Sequence, residues 1–500
     1  MASEDNGGAK ARRLVIPLLV ILGLTGVWAV VSGTHAATDG QASAAAAPPN
    51  VLVIETDDQT VESMRVMHNV NALIGDKGAT FRNNFVNYSL CCPSRATFLT
   101  GQYAHNHGVV PPSAFPAFQE LHGNNNLAVW LEDAGYYTAM IGKYLNLYAS
   151  NPPVPPGWSE WHAAAPPSYP TEEDTLRAYN YTLDENGTSV HYGQGPADFK
   201  QDVLTRKAVG FVNRRAPKAQ PFFLWLTYTA PHIGGPNPNP NPPFNCDGAA
   251  KPAPRHAHAF DSEPLPRPPN FNEADVSDKP AAIRSLPRVT ASQITDIQRR
   301  YRCALESLLS VDEGVQKLVA ALAATGELAN TLIIYTSDNG FHYGEHRIPL
   351  GKQRLYEESI RVPLQMRGPG IPQGAVISEL SINADLAPTI VDAANATPGL
   401  IMDGRSLIPV AQDPSLAQGR RLLIEQESYQ DRPSFTAIRT EPYLYAEHGS
   451  GEKELYDLRQ DPFELSSRQN DPAYASVQAQ LAAALHELQN CAGSTCRSQP

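Results

Sequence analysis

Hydrophobic positions along the chain follow two periods. Short apolar runs ending in polar or acidic residues occur at "NVLVIETDD" from Asn50, "YYTAMIGKY" from Tyr136, "PFFLWLTYT" from Pro221 and "NTLIIYTSDNG" from Asn330. Each predicts a buried strand of a parallel sheet. Between such runs, Ile294, Ile297, Tyr301, Leu305, Leu308, Val311, Val315, Leu318 and Leu322 recur at steps of three or four. That spacing predicts an amphipathic helix, with Gly326 as its stop. Strands alternating with helices describe an α/β fold, a largely parallel sheet covered by helices, in which ligands collect at the carboxyl ends of strands. The polar clusters of this chain fall at those ends.

Two stretches break the alternation, "GGPNPNPNPPFNCDG" from Gly234 and "KPAPRHAHAFDSEPLPRPPNF" from Lys251. Their proline density forbids regular helix or interior strand, so both are read as long loops of the kind that border binding sites. His256 and His258 within the second are read as loop decoration, because nothing nearby completes a metal-ligand set. At the other end, "AKARR" precedes the apolar run Leu14 to Val31 and a small-residue segment around Ala36. This pattern fits an export signal, with an uncleaved membrane anchor as the rival, and either puts the rest of the chain outside the cytoplasm. Residues 37–48 read as a flexible tether.

At 500 residues the chain has room for two to four domains, or one large α/β domain with an appendage. With 42% hydrophobic and 18% charged residues it is an ordinary globular chain. A net charge of -12 argues against nucleic acid or an anionic membrane surface as the main partner, so an anionic ligand needs a local basic site. Of six cysteines, Cys491 and Cys496 are close enough to staple the C-terminal tail in an oxidising compartment. Spacing assigns no partner to Cys92, Cys246 or Cys303.

Asp57 and Asp58 end the first strand, where adjacent carboxylates repel unless a hard cation or water separates them; the plain alternative is a solvated turn or helix cap. Asp338 and Asn339 in "SDNG" end another strand and offer a carboxylate and an amide oxygen to the same cation, against a simple Asn-Gly turn. Lys143 in "IGKYLN", His232 in "APHIGG" and Lys352 in "LGKQRLYEE" lie at or near strand ends, where each alone is an ordinary surface residue. Cys91 opens "CCPSRATFLTG", placing a sulfur near the amino end of a helix, where backbone N–H groups and Arg95 favour an anion. That position suits an activated thiolate, and equally an inert pair of buried thiols.

Cys91-Cys92-Pro93-Ser94-Arg95, continuing to Leu99-Thr100-Gly101, resembles the C-x-P-S-R signature of the type I sulfatases, members of the alkaline phosphatase superfamily. The likeness extends over most of the chain after the tether: Asp57-Asp58, "GKY" at Lys143, "PH" at His232, "SDNG", "GKQRLYEESIRVPL" with Lys352, and the late segments "ADLAPTIVDAAN", "MDGRSL" and "ELYDLRQDPFE". "CCPSR" with "GKYLN" is most similar to the N-acetylglucosamine-6-sulfatase branch.

The resemblance implies an alkaline-phosphatase-like fold, a large mixed, mostly parallel sheet between helices with a smaller C-terminal α+β subdomain. It divides the chain into a signal peptide or anchor at 1–36, the tether, a catalytic domain at 49–400 and the subdomain at 401–500. It implies that Cys91 is converted to formylglycine by a formylglycine-generating enzyme, and that Asp57, Asp58, residue 91, Asp338 and Asn339 hold one calcium ion. Arg95 is expected to stabilise the formylglycine side chain, while Lys143, His232 and Lys352 neutralise the sulfate and leaving group. The implied substrate is a sulfated carbohydrate, such as a sugar 6-O-sulfate, or an aryl sulfate. A broad arylsulfatase, a phosphodiesterase or phosphonate hydrolase of the same fold, and a catalytically dead sulfated-glycan binder are the alternatives. The chain departs from the family at Leu145, where many members carry histidine, and at Gln102, where many carry a basic residue. His105 and His107 are candidates for the site or for a structural role beside it.

Overall fold

A computed structural model describes residues 48–149, 153–166, 175–234, 246–417 and 419–497. The N-terminal signal or anchor, the tether up to residue 47 and most of the first proline-rich loop lie outside the described residues. Residues 48–500 make one compact unit. Its strands are β1 (Asn50–Asp57), β2 (Ala79–Phe81), β3 (Asn84–Phe85), β4 (Tyr137–Gly142), β5 (Glu160–Ala164), β6 (Tyr181–Glu185), β7 (Thr188–Tyr192) and β8 (Phe222–Pro231). They continue with β9 (Thr331–Ser337), β10 (Leu364–Arg367), β11 (Ala375–Ile377), β12 (Ser381–Ile382), β13 (Leu422–Gln426), β14 (Phe435–Arg439), β15 (Tyr443–His448) and β16 (Lys453–Asp457).

Ten strands form the large sheet in the order β11-β2-β10-β9-β1-β8-β4-β5-β6-β7. The five from β9 to β5 are parallel, and β10, β6 and β7 add antiparallel pairings outside them. All four apolar runs read from the sequence are central strands: β1, β4, β8 and β9. Val51, Leu52, Val53 and Ile54 are all fully buried, because cores cover both faces of β1 and leave no polar side to alternate with. Each such side chain contributes roughly 1.5–3 kcal/mol by leaving water.

The helices used below are α1 (Cys91–Thr100), α2 (Lys200–Arg215), α3 (Ala291–Ala324), α4 (Leu386–Ala394) and α5 (Ala475–Leu488). Helices α2 and α3 cover one face of the sheet; α1 and α4 cover the other. Helix α3 starts at a capping box, Thr290 accepting from the Gln293 N–H while Gln293 returns a bond to the Thr290 N–H. It ends at Ala324, two residues before Gly326, which has the left-handed φ of +83° expected of a stop.

A second sheet, β13-β14-β15-β16, is antiparallel and packs with α5. Its core includes Phe85, Tyr103, Tyr356 and Ile360 from the larger part, so the C-terminal subdomain shares a hydrophobic layer with it. The disulfide Cys491–Cys496 expected from spacing is present. Cys246 pairs with Cys303 on α3, anchoring the exit of the proline-rich loop. Neither Cys91 nor Cys92 forms a disulfide, and both are buried.

Candidate active site

Four neighbouring strands deliver the site from one edge. Asp57 is the last residue of β1 and Asp58 follows it; Asp338 and Asn339 follow β9; His232 follows β8; Lys143 follows β4. Asp58 has a φ of +70°, a left-handed conformation that aspartate tolerates and that redirects the chain as it leaves the sheet. Gly142 is required before Lys143, since its φ is +119° and a Cβ there would lie 1.8 Å from the Thr227 carbonyl oxygen. This close approach lets the Lys143 N–H bond that carbonyl at 3.1 Å. Cys91 is the first residue of α1 and Arg95 lies one turn further, while Lys352 arrives from the loop after β9.

Ligand atoms of Asp57, Asp58, Cys91 and His232 all lie within 4.8 Å of one another. The Cys91 thiol donates to Asp57 Oδ1 at 3.3 Å, and Lys352 Nζ donates to Cys91 Sγ at 2.8 Å and to Asp58 Oδ1 at 2.5 Å. Lys143 Nζ donates to Asp57 Oδ2 at 2.6 Å. His232 Nε2 is 3.5 Å from Asp58 Oδ2, and its Nδ1 faces the Ile233 carbonyl at 2.8 Å. Asp338 stands one layer back, accepting from Arg95 Nε at 2.9 Å and from the Asp58 N–H at 3.3 Å. Arg95 is fully buried and also donates to the Lys143 carbonyl at 2.8 Å.

Electrostatics sorts these groups. Burial pushes the Asp57 carboxyl up, but Lys143, His232, Lys352 and Arg95 together hold it well below the usual carboxylate range. Burial and the charge of Asp57 hold the Cys91 thiol protonated, well above its ordinary value. Burial beside a carboxylate is the setting of an unreactive thiol rather than of an activated thiolate. Burial opposes the Lys352 charge, yet Asp58, Cys91, Asp57 and Asp338 raise it well above the ordinary lysine value.

Asn339 donates through Nδ2 to Asp58 Oδ1 at 2.6 Å, which leaves its buried Oδ1 with no hydrogen-bond partner. An orphaned amide oxygen beside carboxylates is the donor set a metal ion satisfies.

Asp57, Asp58, Cys91, Arg95, Lys143, His232, Asp338, Asn339 and Lys352 all lie at this end of the sheet. The plain readings of Asp57-Asp58 as a solvated turn and of "SDNG" as a hairpin turn fail, since all four residues are buried. His105 and His107 prove structural: His105 pairs with Glu425 and His107 bonds Thr97 at 3.0 Å. His256 and His258 pair with Glu313 and Asp261. Leu145, at the position of the family histidine, is buried in the apolar core.

Glu55 was missed. It is buried 3.3 Å from Arg95 Nη2 and accepts from Trp225 Nε1 at 3.0 Å; burial, partly offset by Arg95, raises its carboxyl to about 7. The signal was a lone acid in an apolar strand, two residues before Asp57 and so on the same face. Ala249 and Ala250, with Asp58, Pro231 and Ile233, line a small space beside the cluster, which puts the exit of the proline-rich loop at the site.

A family model described as sulfatase matches residues 49–396, and one described as the C-terminal region of N-sulphoglucosamine sulphohydrolase matches residues 344–491. The chain belongs to the sulfatase family, and it is a sulfuric ester hydrolase. It is 33% identical over 537 residues to the N-acetylglucosamine-6-sulfatase of Homo sapiens, which spans 96% of this chain and 89% of that one. It is 36% identical over 367 residues to the extracellular sulfatase Sulf-1 homolog of Caenorhabditis elegans, over 72% of this chain and 48% of the relative, so it spans about half of that protein's length. A solved structure of BT4656 in complex with its substrate D-glucosamine-2-N,6-O-disulfate superposes with a TM-score of 0.73 at 25% identity, over 88% of this chain and 97% of that one.

Proposed function

We propose that the enzyme removes the 6-O-sulfate of an N-acetylglucosamine-type sugar, using formylglycine made from Cys91 and one calcium ion held by Asp57, Asp58, residue 91, Asp338 and Asn339. The observation that carries this reading is the gathering of Asp57, Asp58, Cys91 and His232 within 4.8 Å, with Lys352 bonded to the Cys91 sulfur. The human relative, named N-acetylglucosamine-6-sulfatase, and the D-glucosamine-2-N,6-O-disulfate substrate of BT4656 support the sugar.

Here Cys91 Sγ stands in for a hydroxyl oxygen of hydrated formylglycine, which supplies two hydroxyls on one carbon, one to attack sulfur and one to drive release. A cysteine has no second group to do this. A calcium ion held by these residues would supply positive charge for a sulfate oxygen and for the attacking hydroxyl. Asp57 Oδ1, 3.3 Å from that position, accepts the hydroxyl's hydrogen bond and aligns it, and Lys352 Nζ, 2.8 Å away, stabilises the negative charge that develops on its oxygen. Lys143 neutralises Asp57 and the sulfate's remaining charge. His232, held by the Ile233 carbonyl, carries the proton for the leaving oxygen. Arg95 fixes Asp338 and the amino end of α1.

The same reading assigns residues 49–400 to the catalytic domain and 401–500 to its subdomain. A formylglycine-generating enzyme acts during maturation. Export through the segment at 1–36, cleaved or retained as an anchor, is supported by the extracellular relative. No helix among the described residues is long and apolar enough to cross a membrane.

The test is a substrate panel on enzyme co-expressed with a formylglycine-generating enzyme: N-acetylglucosamine-6-sulfate, an aryl sulfate and a phosphodiester. Sulfate release from the sugar, lost on chelation and restored by calcium, is the expected result. Turnover of the aryl sulfate or phosphodiester without the sugar sulfate contradicts the substrate.

A further inference from the structure

Away from the active site, three buried or half-buried carboxyls gather without a cation. Glu345, Glu358 and Glu464 have no lysine or arginine nitrogen within 4.0 Å among the described residues; the only ring nitrogens that near Glu345 and Glu464 belong to His342 and His346, each at 4.0 Å. An unpaired buried carboxylate costs several kcal/mol, so such a group holds a proton or a metal ion. Burial and the neighbouring Glu358 raise Glu345 to about 8, and burial with Glu357 and Glu358 raises Glu464 well above its ordinary value.

The geometry is that of a built site. Ligand atoms of His346, Glu358 and Glu464 lie within 4.8 Å of one another. His346 is fully buried, stacked on Tyr356 with ring centroids 3.9 Å apart, and its Nδ1 faces Glu273 Oε2 at 2.7 Å. Lys279 Nζ pairs with the other Glu273 oxygen at 3.3 Å. A carboxylate on Nδ1 fixes the tautomer and turns the Nε2 lone pair toward the cluster, as the outer partners of metal-bound histidines do. Asn270, also fully buried, has Nδ2 3.1 Å from His346 Nε2 and 2.8 Å from Glu358 Oε1. Three oxygens in this group have no hydrogen-bond partner: Asn270 Oδ1, Glu358 Oε2 and Glu464 Oε1. Half a turn of the Asn270 amide exchanges its nitrogen for the orphaned oxygen. A cavity of about 550 Å³ lined by Glu345, Glu357, Glu358, Arg361, Pro462 and Phe463 gives an ion access from solvent.

We propose that His346 Nε2, one oxygen each from Glu358 and Glu464, and Asn270 Oδ1 form a second metal site that takes a divalent transition ion, zinc in the first instance. One imidazole and three oxygens suit zinc better than calcium, which prefers oxygen alone in larger number. The site ties Asn270, His346 and Glu358 to Glu464 after β16, so the ion staples the C-terminal subdomain to the larger part.

The test uses the full chain, stripped with chelator and held in excess calcium, then titrated with zinc against a chromophoric chelator and with cobalt(II) for its visible spectrum. One zinc per chain is expected, with a rise in Tm. Glu358→Gln and Glu464→Gln each lower zinc affinity at least about tenfold, while Asp58→Asn does not. Glu358 lines the cavity, so its variant reads the site even if Glu464→Gln does not fold. No zinc bound in the presence of calcium, or equal affinity in wild type and both glutamine variants, overturns the proposal and leaves a proton-sharing carboxyl cluster.

Discussion

Two buried acidic clusters sit in one molecule and handle charge in opposite ways. At the active site, Asp57, Asp58 and Asp338 face Lys143, Lys352, Arg95 and His232, which come from strand ends, from α1 and, for Lys352, from the loop after β9. Asp57 is thereby held ionised although fully buried. Around His346, Glu345 and Glu464 are as deeply set but lack such cations, and burial pushes them toward the neutral acid. The difference shows that burial alone does not make a charged site. Fixed counter-charges produce a permanent pattern ready for a sulfate ester, whereas their absence leaves an opening for an exchangeable proton or ion.

Predictions that break or sharpen this contrast run from large to small. Replacing Cys91 with alanine removes the residue proposed to become the nucleophile, and turnover should fall by at least about 10⁴-fold while the fold persists by circular dichroism. Lys352→Ala removes the cation 2.8 Å from residue 91 and should cost roughly 10²–10³-fold in kcat, read from sulfate release at saturating substrate. Asp57→Asn removes the carboxylate charge 2.6 Å from the buried Lys143 ammonium, so denaturant unfolding should show a loss of about 3–5 kcal/mol. Glu464→Gln in metal-free protein should change stability by about 1 kcal/mol or less, because it removes a carboxyl that has no cation to lose. If Asp57→Asn and Glu464→Gln prove equally costly, the contrast between the two clusters is wrong.

The contact between the two sheets supplies a pH test. Burial works against a charge on His105, but Glu425 at 2.7 Å and the Cys491 carbonyl at 2.9 Å raise it to about 9. A raised histidine contributes stability that is full below the free value of about 6.5 and is lost as pH climbs through the folded value. Wild type should therefore exceed His105→Gln by about 1–2 kcal/mol at pH 6, and the gap should narrow by pH 10, measured as Tm across that range.

Much of this was legible before any coordinates. The central strands declare themselves because both faces of β1, β8 and β9 are buried, and α3 does so because one face alone is. The site residues could be named because strand ends in a parallel sheet converge and a short motif marks α1. Glu55 escaped because one acid in an apolar run looks like an exception rather than a partner for Arg95, 40 residues away in sequence. The Asn270, His346, Glu358 and Glu464 group escaped for a related reason: four residues over nearly 200 positions meet only through tertiary packing, and although Glu358 and Glu464 lie in two of the quoted segments, nothing local joins those segments. Cys246–Cys303 was hidden likewise, its 57-residue separation giving no local cue.

The central claim is that residue 91 works as formylglycine amid cations already set for a sulfate. Its most direct test is the mass of the tryptic peptide from Asn83 to Arg95, taken from protein made with an active formylglycine-generating enzyme. The account predicts that residue 91 has exchanged its sulfur for an aldehyde oxygen while Cys92 keeps its thiol. Two intact cysteines in that peptide, under conditions where the maturing enzyme modifies another sulfatase, would contradict it.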